Sequence, residues 1–192
     1  MNTSTEIEYP VSELIKLRRS RRAFSDREVE PDKIKSLFEA ARWAPSSMNE
    51  QPWSYIYATK NQPELYAKIF DALMEGNQIW VKDAPLLVVS LARRNFVRNE
   101  KENQSAIYDM GGANAFLSLQ ATELGLNVHQ MGGYEKDKIM VNLNVPDTYR
   151  VGVVMAIGYV GDPAQLPEGL KEREEAPRTR IVQQEFVMNK AF

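Results

Sequence analysis

The sequence has no cysteine and a single histidine, His129. The first absence excludes disulfides, thiolate metal sites and a cysteine nucleophile. The second leaves little from which to build a histidine zinc site or a Ser-His triad. Long apolar runs are missing too: the longest, around Pro85–Ala92, is far too short to span a bilayer. Residues 1–10 are polar and lack the apolar core of a secretory leader, so a cytoplasmic protein without a membrane partner is expected. Neither sign of charge is in excess, since 24 basic and 26 acidic side chains leave a net charge of −2. That balance argues against a general polyanion binder, and so against a nucleic-acid partner. If the chain is an enzyme, its hard chemistry falls to a cofactor.

What is present is a chain of 192 residues, 43% hydrophobic, enough for one domain with a real core. Against its balanced charge, the cluster Arg18-Arg19-Ser20-Arg21-Arg22-Ala23-Phe24 stands out. Arginine presents a planar fork of donors suited to phosphate and carboxylate, and it keeps its charge. The cluster by itself also has two plainer readings, a solvated helix end and a nucleic-acid patch.

Taken in order, residues 1–10 form a loose arm, and Val11, Leu14, Ile15 and Leu17 recur at helical spacing, predicting a first helix to about Arg19. A second helix starts at Pro31 or Asp32 and runs to about Trp43, with Ile34, Leu37, Phe38 and Ala41 on one face; Pro45 ends it. Ala44–Trp53 has the composition of a loop. Trp53–Thr59 alternates as a strand, Pro63–Leu73 is helical, and Glu75–Val81 is a turn or short helix. Ala84–Ala92 is nearly continuous in Leu and Val, as a strand covered on both faces would be. Residues 93–104 are polar and aperiodic. The longest helix spans Ser105–Leu126, with Ile107, Met110, Ala113, Asn114, Leu117, Ala121 and Leu124 on a broad face and Gly125 as its cap. Gly111 and Gly112 in its interior suggest close approach of another backbone or a flat ligand, and hence a subunit interface. Asn127–Met131 and Val151–Val160 are strands with a short helix, Glu135–Leu143, between them. Gly161–Ala176 is a loop or extended tail, and Arg178–Val182 a late basic-then-apolar element. Trp43, Trp53 and Met110 belong to the core, and His129 is structural. The alternation of helices and strands gives an α+β or α/β domain.

The combination of these segments resembles the FMN-dependent nitroreductase family. The motifs that carry the resemblance are Arg18–Phe24, Ala44-Pro45-Ser46-Ser47-Met48-Asn49-Glu50-Gln51-Pro52-Trp53, Glu75–Gln78 ahead of Ala84-Pro85, the glycine-containing long helix, Gln130-Met131-Gly132-Gly133-Tyr134, and Arg178-Thr179-Arg180. The resemblance implies an α+β fold with a central mixed sheet flanked by helices, in an intertwined homodimer. Residues 11–160 would form the FMN-binding domain, and residues 161–192 would extend over the partner. The implied activity passes a hydride from NADH or NADPH through FMN to a nitroaromatic, quinone or similar small acceptor in a ping-pong cycle.

Carried over by position, Arg18, Arg19, Ser20 and Arg22 would wall the FMN site, with Arg18 on the phosphate and Arg22 at the pyrimidine edge. A fixed cation there stabilises the charge that builds up on reduction. Pro45, Ser46, Ser47, Asn49 and Gln51 would line the ring and ribityl chain from the other subunit. Asn77 would touch the flavin's polar side. Some relatives carry lysine three residues further on, where this chain has Trp80. Gln130, Met131, Gly132 and Gly133 would lie along the ring, with the Gly132 N–H directed at N5. Arg178 and Arg180 would complete the phosphate clamp. Arg21 receives no role. Trp80 and residues 93–104 would border the substrate entrance or form an exposed loop. Two other readings stay open at this point: a dedicated reaction such as reductive dehalogenation or ring dehydrogenation, for which Arg93, Arg94 and Arg98 would form a charged lid, and a flavin-binding protein without turnover.

Overall fold

A computed structural model describes residues 2–191. Its centre is a four-stranded sheet in the order β2 (Trp53–Thr59), β3 (Leu86–Arg93), β5 (Tyr149–Gly158), β4 (Asn127–Met131). All three pairings are antiparallel. The α+β class therefore holds, and every pairing in this sheet among the described residues is antiparallel. The nearly continuous apolar run of β3 is explained by its place: residues 86–92 are all buried, covered on both faces. Leu87, Val89 and Leu91 pack with Ile69 of α3 (Pro63–Asp71), Trp80 and Val81 of α4 (Glu75–Val81), and Ile139 of α6 (Lys136–Asn142). Leu86 and Val88 pack on the opposite face with Leu37 and Ala41 of α2 (Pro31–Arg42) and Leu117 and Ala121 of α5 (Ala106–Glu123).

One polar residue interrupts that run. At Ser90 the β3–β5 register shifts between Val89 and Leu91. The Ser90 hydroxyl replaces the lost ladder bonds, donating to Val153 O at 3.2 Å and accepting from Val153 N at 3.0 Å. Asn114 Nδ2 donates to the same oxygen at 3.2 Å, and Tyr55 OH donates to Asn114 Oδ1 at 3.0 Å. The buried asparagine of α5 is thus tied to the sheet, which fixes the rotation of the long helix. α5 ends as its glycine predicts: Gly125 takes φ +72° and Leu126 N closes on Ala121 O at 2.7 Å.

Several expectations are corrected. Gly161–Ala176 is not a loop, because it contains α7 (Glu168–Glu175), whose Glu174 is buried. The charged sequence hides this helix from periodicity, since its buried residue is itself an acid. The amino-terminal arm is tied down: β1 (Thr3–Ser4) pairs antiparallel with β6 (Arg180–Ile181). The first helix shortens to α1 (Glu13–Leu17), capped by Ser12, and none of its residues is buried. Val11, Ile15 and Leu17 point outward. On α5 the buried face comprises Ala106, Asp109, Met110, Ala113, Asn114, Leu117, Ser118 and Ala121, while Ile107 is exposed. The other side of α5 is also apolar or small and stays open, with Tyr108 84% exposed and Gly111, Ala115 and Phe116 beside it. A Cβ added to Gly111 or Gly112 would meet nothing within 4 Å, so none of the described residues outside the helix backbone uses their small size. Trp43 is 70% exposed, held at the surface by Glu39 and Arg42 instead of entering the core.

Candidate functional site

Most of the arginine cluster follows α1 in a segment without helix, and its side chains part company. Arg18 caps the carboxyl end of α1 and reaches Ser20 Oγ at 3.4 Å. Arg178 comes from the far end of the chain and donates to the carbonyls of Ile15, Lys16 and Arg18. A cation on the free carbonyls at a helix end is favourable. This contact also sets Arg18, Arg178 and Arg180 side by side around a cavity of about 220 Å³. Glu6 shares that lining, yet none of the three arginines makes a salt bridge among the described residues. Burial and then the charges of Arg178 and Arg180 push the Arg18 guanidinium pKa below its usual value. Like charges gathered without a salt-bridged carboxylate favour an anion beside them by their chemistry.

Arg18 also borders a second cavity of about 320 Å³, shared with Ser20, Ala115, Ser118, Leu119, Val128 and Gln130. Gln130 Nε2 donates to Ser118 Oγ at 3.1 Å, and Ser118 Oγ donates to Asn114 O at 2.7 Å. Ser118 had no signal beyond its place four residues after Asn114. A trough therefore leads from the arginines past Ser20 to Gln130.

Arg22 lies beyond it. Its guanidinium sits 6.0 Å from the Trp80 ring centroid. Trp80 is fully buried, stacked on Phe24 at 6.2 Å and 4.6 Å from the His129 ring. It is a core residue beneath the site, so the expectation that it borders an entrance is corrected. Asn77 Nδ2 donates to Gly133 O at 2.8 Å, as does Met74 N at 3.0 Å. A Cβ on Gly133 would stand 2.6 Å from Asn77 Nδ2, so glycine there permits the contact. Gly132 is exposed with open space around it, but the Met131 side chain is buried in the core, and only its backbone can face a ligand. Strand alternation decides this: Gln130 points out and Met131 in.

Two more arginines leave the trough. Arg19 donates to the Glu174 and Ala176 carbonyls at the end of α7, and Arg21 contacts the same helix. The side chain of Arg19 therefore does not wall the trough, and Arg21 is not a merely solvated residue.

Pro45, Ser46, Ser47, Asn49 and Gln51 lie on a loop braced from within. Gln51 N donates to Ser46 Oγ at 3.0 Å, and Ser47 N to the buried Asp109 at 3.1 Å. Met48, Asn49 and Gln51 all have φ between 49° and 56°, a concentration of left-handed backbone typical of functional loops. The sequence pattern did not reveal Asp109, whose only signal is an acid in the first turn of a helix. This loop sits at the amino end of α5, whereas Ser118 and Gln130 sit toward its carboxyl end. Nine residues of helix separate Asp109 from Ser118, roughly 13 Å. One chain therefore does not bring the loop to the trough. Residues 94–104 form no helix or strand and hold one bridge, Asn95 to Glu102; Val97 N donates to Glu50 Oε1 at 2.6 Å, and Arg94 turns inward to Tyr149 O. Of the expected charged lid, Arg93 belongs to β3 and Arg94 is spent on the backbone, while Arg98 lies over Phe96.

His129 Nδ1 donates to Arg21 O at 3.0 Å. Burial first, and the Arg22 charge second, push its pKa down to about 4. The imidazole is neutral at neutral pH, and the unfolded chain, with a pKa near 6.5, binds the extra proton as pH falls. Stability contributed by His129 is thus present above pH ~6.5, lost as pH falls, and gone below ~4. Between pH 7.5 and 5 the wild type is expected to lose about 1–2 kcal/mol more than His129→Gln. Denaturant midpoints at the two pH values test this, and parallel profiles would exclude it.

Comparison with known proteins gives four findings. A model of the Nitroreductase family matches residues 15–79 and 65–159. A crystal structure of an oxidoreductase containing FMN is similar to this chain with a TM-score of 0.92 and 36% identity, covering 100% of this chain and 98% of that one. An FMN-dependent nitroreductase from Clostridium difficile has a TM-score of 0.70 and 26% identity, covering 93% and 98%. A Methanothermobacter thermautotrophicus protein named "Putative NADH dehydrogenase/NAD(P)H nitroreductase" is 30% identical over 161 residues, 82% of this chain and 79% of that protein.

Proposed function

Because the chain belongs to the nitroreductase family of oxidoreductases, we propose that it is a homodimeric FMN enzyme that passes electrons from NADH or NADPH to a nitroaromatic, quinone or similar small acceptor. The observation that carries this reading is the meeting of Arg18, Arg178 and Arg180 without a salt-bridged carboxylate, at the head of a trough lined by Ser20 and Gln130. These residues fit a phosphate with a hydroxylated chain behind it. The relatives named for FMN and for NAD(P)H support the same choice.

Arg18 and Arg180 would hold the phosphate, and Arg178 would hold Arg18 by capping α1. Ser20 and Gln130 would bond the ribityl hydroxyls. Arg22 would place its charge at the pyrimidine edge, and Gly132 would let the ring approach the backbone. FMN held by these residues would supply the two-electron chemistry between the nicotinamide and the second substrate. The protein needs no acid or base for this, in keeping with a histidine that is neutral and tucked behind Arg22.

Dimerisation is supported by where the half-sites lie. The open face of α5 is centred on Gly111, Gly112 and Ala115. A two-fold axis near that point, with the two α5 helices antiparallel, would carry the loop of residues 45–51 of one chain to the trough of the other. It would also cover Tyr108 and Phe116, exposed in the single chain, and the outward residues Ile15 and Leu17 of α1. Within residues 161–192, α7, Arg178 and β6 pack on their own chain, so the part beyond β6 would reach over the partner.

The decisive experiment records the visible spectrum of the purified protein and then adds NADH or NADPH without oxygen, with the molar mass measured in parallel. A yellow dimer bleached by a nicotinamide is the expected result. A colourless protein that takes up no added FMN refutes the reading, and a monomer at micromolar concentration refutes the shared site.

A further inference from the structure

The carboxylate of Glu174 is 2% exposed, on a surface helix otherwise rich in solvated charge. Its Oε2 accepts the Arg22 N–H at 2.9 Å. Its Oε1 lies 3.8 Å from Arg21 Nη1 and has no hydrogen-bond partner among the described residues. The backbone beside it serves the same segment, since Glu174 O accepts from Arg19 Nη2 and Arg21 Nη1, both at 3.4 Å. Across the segment, Arg21 O accepts from His129, and Arg22 lies over Trp80. Residues 19–22 are therefore gripped between the end of α7 on one side and the His129–Trp80 pair on the other.

A buried carboxylate is expensive to desolvate and is weak evidence of stabilisation. An incompletely bonded oxygen raises that cost. What the arrangement does achieve is geometric: a fixed acceptor for the Arg22 N–H holds the backbone so that Ser20 faces the trough and Arg22 faces Trp80. It also sets a negative charge behind the arginines. We propose that Glu174 is a positioning residue for the flavin site, which fixes the segment carrying Ser20 and Arg22 and tempers the positive field that this segment presents to the ring. This rests on the FMN reading above.

Two substitutions separate the parts. Glu174→Gln keeps an oxygen acceptor and removes the charge. Glu174→Ala removes both. With apoprotein titrated by oxidised and by reduced FMN, Glu174→Ala should bind oxidised FMN about tenfold or more weakly, the scale of a lost charged hydrogen bond. Glu174→Gln should hold oxidised FMN nearly as the wild type does, yet favour the reduced form by about threefold or more, because the unneutralised arginines attract the reduced ring's charge. A merely structural role would not move that ratio. The single histidine supplies a readout without flavin: its imidazole NMR titration should rise from about 4 towards the usual value in Glu174→Ala, as water reaches the loosened ring and the Arg22 charge moves away. Wild-type FMN affinity and an unmoved His129 in Glu174→Ala would overturn the proposal. If that variant does not fold, an unchanged oxidised-to-reduced ratio in Glu174→Gln overturns it instead. A wild type that takes up no FMN defeats the flavin reading, while the histidine shift still reports whether Glu174 grips the segment.

Discussion

Trp80→Ala is expected to lose about 3–5 kcal/mol of folding stability and, with it, tight flavin binding. Trp80 is 1% exposed and touches three parts of the molecule at once. Phe24 stacks on it with an interplanar angle of 19°, the His129 ring packs at 4.6 Å, and the Arg22 guanidinium lies 6.0 Å from its centroid. Truncation leaves a hole the size of an indole under the segment that presents Arg22. A domain of this size is stable by about 5–15 kcal/mol, so the loss is a large share. Trp80→Phe keeps an aromatic wall and should cost less than half as much. Denaturant unfolding of the apoprotein measures the first effect, and FMN titration the second. An alanine variant with the wild-type midpoint would show that Trp80 is not the floor of the site.

Arg18→Ala should weaken FMN binding by about 1.5–3 kcal/mol, roughly 10-fold to 150-fold, and Arg180→Ala by a similar factor. The unliganded protein should respond in the opposite sense or not at all. Arg18 loses no carboxylate partner, and its removal relieves repulsion from Arg178 and Arg180. Apoprotein melting temperature should therefore stay level or rise slightly, while flavin affinity falls. That divergence separates a ligand site from a structural cluster. Arg178→Ala should lower both, because its donors hold the carbonyl end of α1. Unchanged FMN affinity in Arg18→Ala and Arg180→Ala would remove the phosphate assignment.

Local pattern carried much of the fold. Alternation placed β2 at Trp53–Thr59, the short strand read at Asn127–Met131 is β4 with the bounds observed, and the Leu/Val run marked β3 as covered on both faces. Pro31 and Gly125 marked the start of α2 and the end of α5 through their own backbone preferences. α7 escaped because its one buried residue is a glutamate, which no hydrophobic period records. The apolar spacing of α1 was legible, but not its direction: periodicity says that a face wants cover and not whether the chain itself supplies it.

The candidate site divides along the same line. The sequence by itself determined the inventory, a run of arginines in an otherwise balanced chain, a second pair near the carboxyl end, and a chain with no cysteine and one histidine to do chemistry. Only the tertiary structure decided which arginine does what. Arg18 meets Arg178 and Arg180, Arg19 and Arg21 turn to α7, and Arg22 lies over Trp80. Adjacent residues in an extended segment point in different directions, and what each one meets is set by helices and strands more than fifty residues away. The loop of residues 45–51 and the trough at Gln130 likewise lie apart on α5, a separation that no one-dimensional spacing could have revealed.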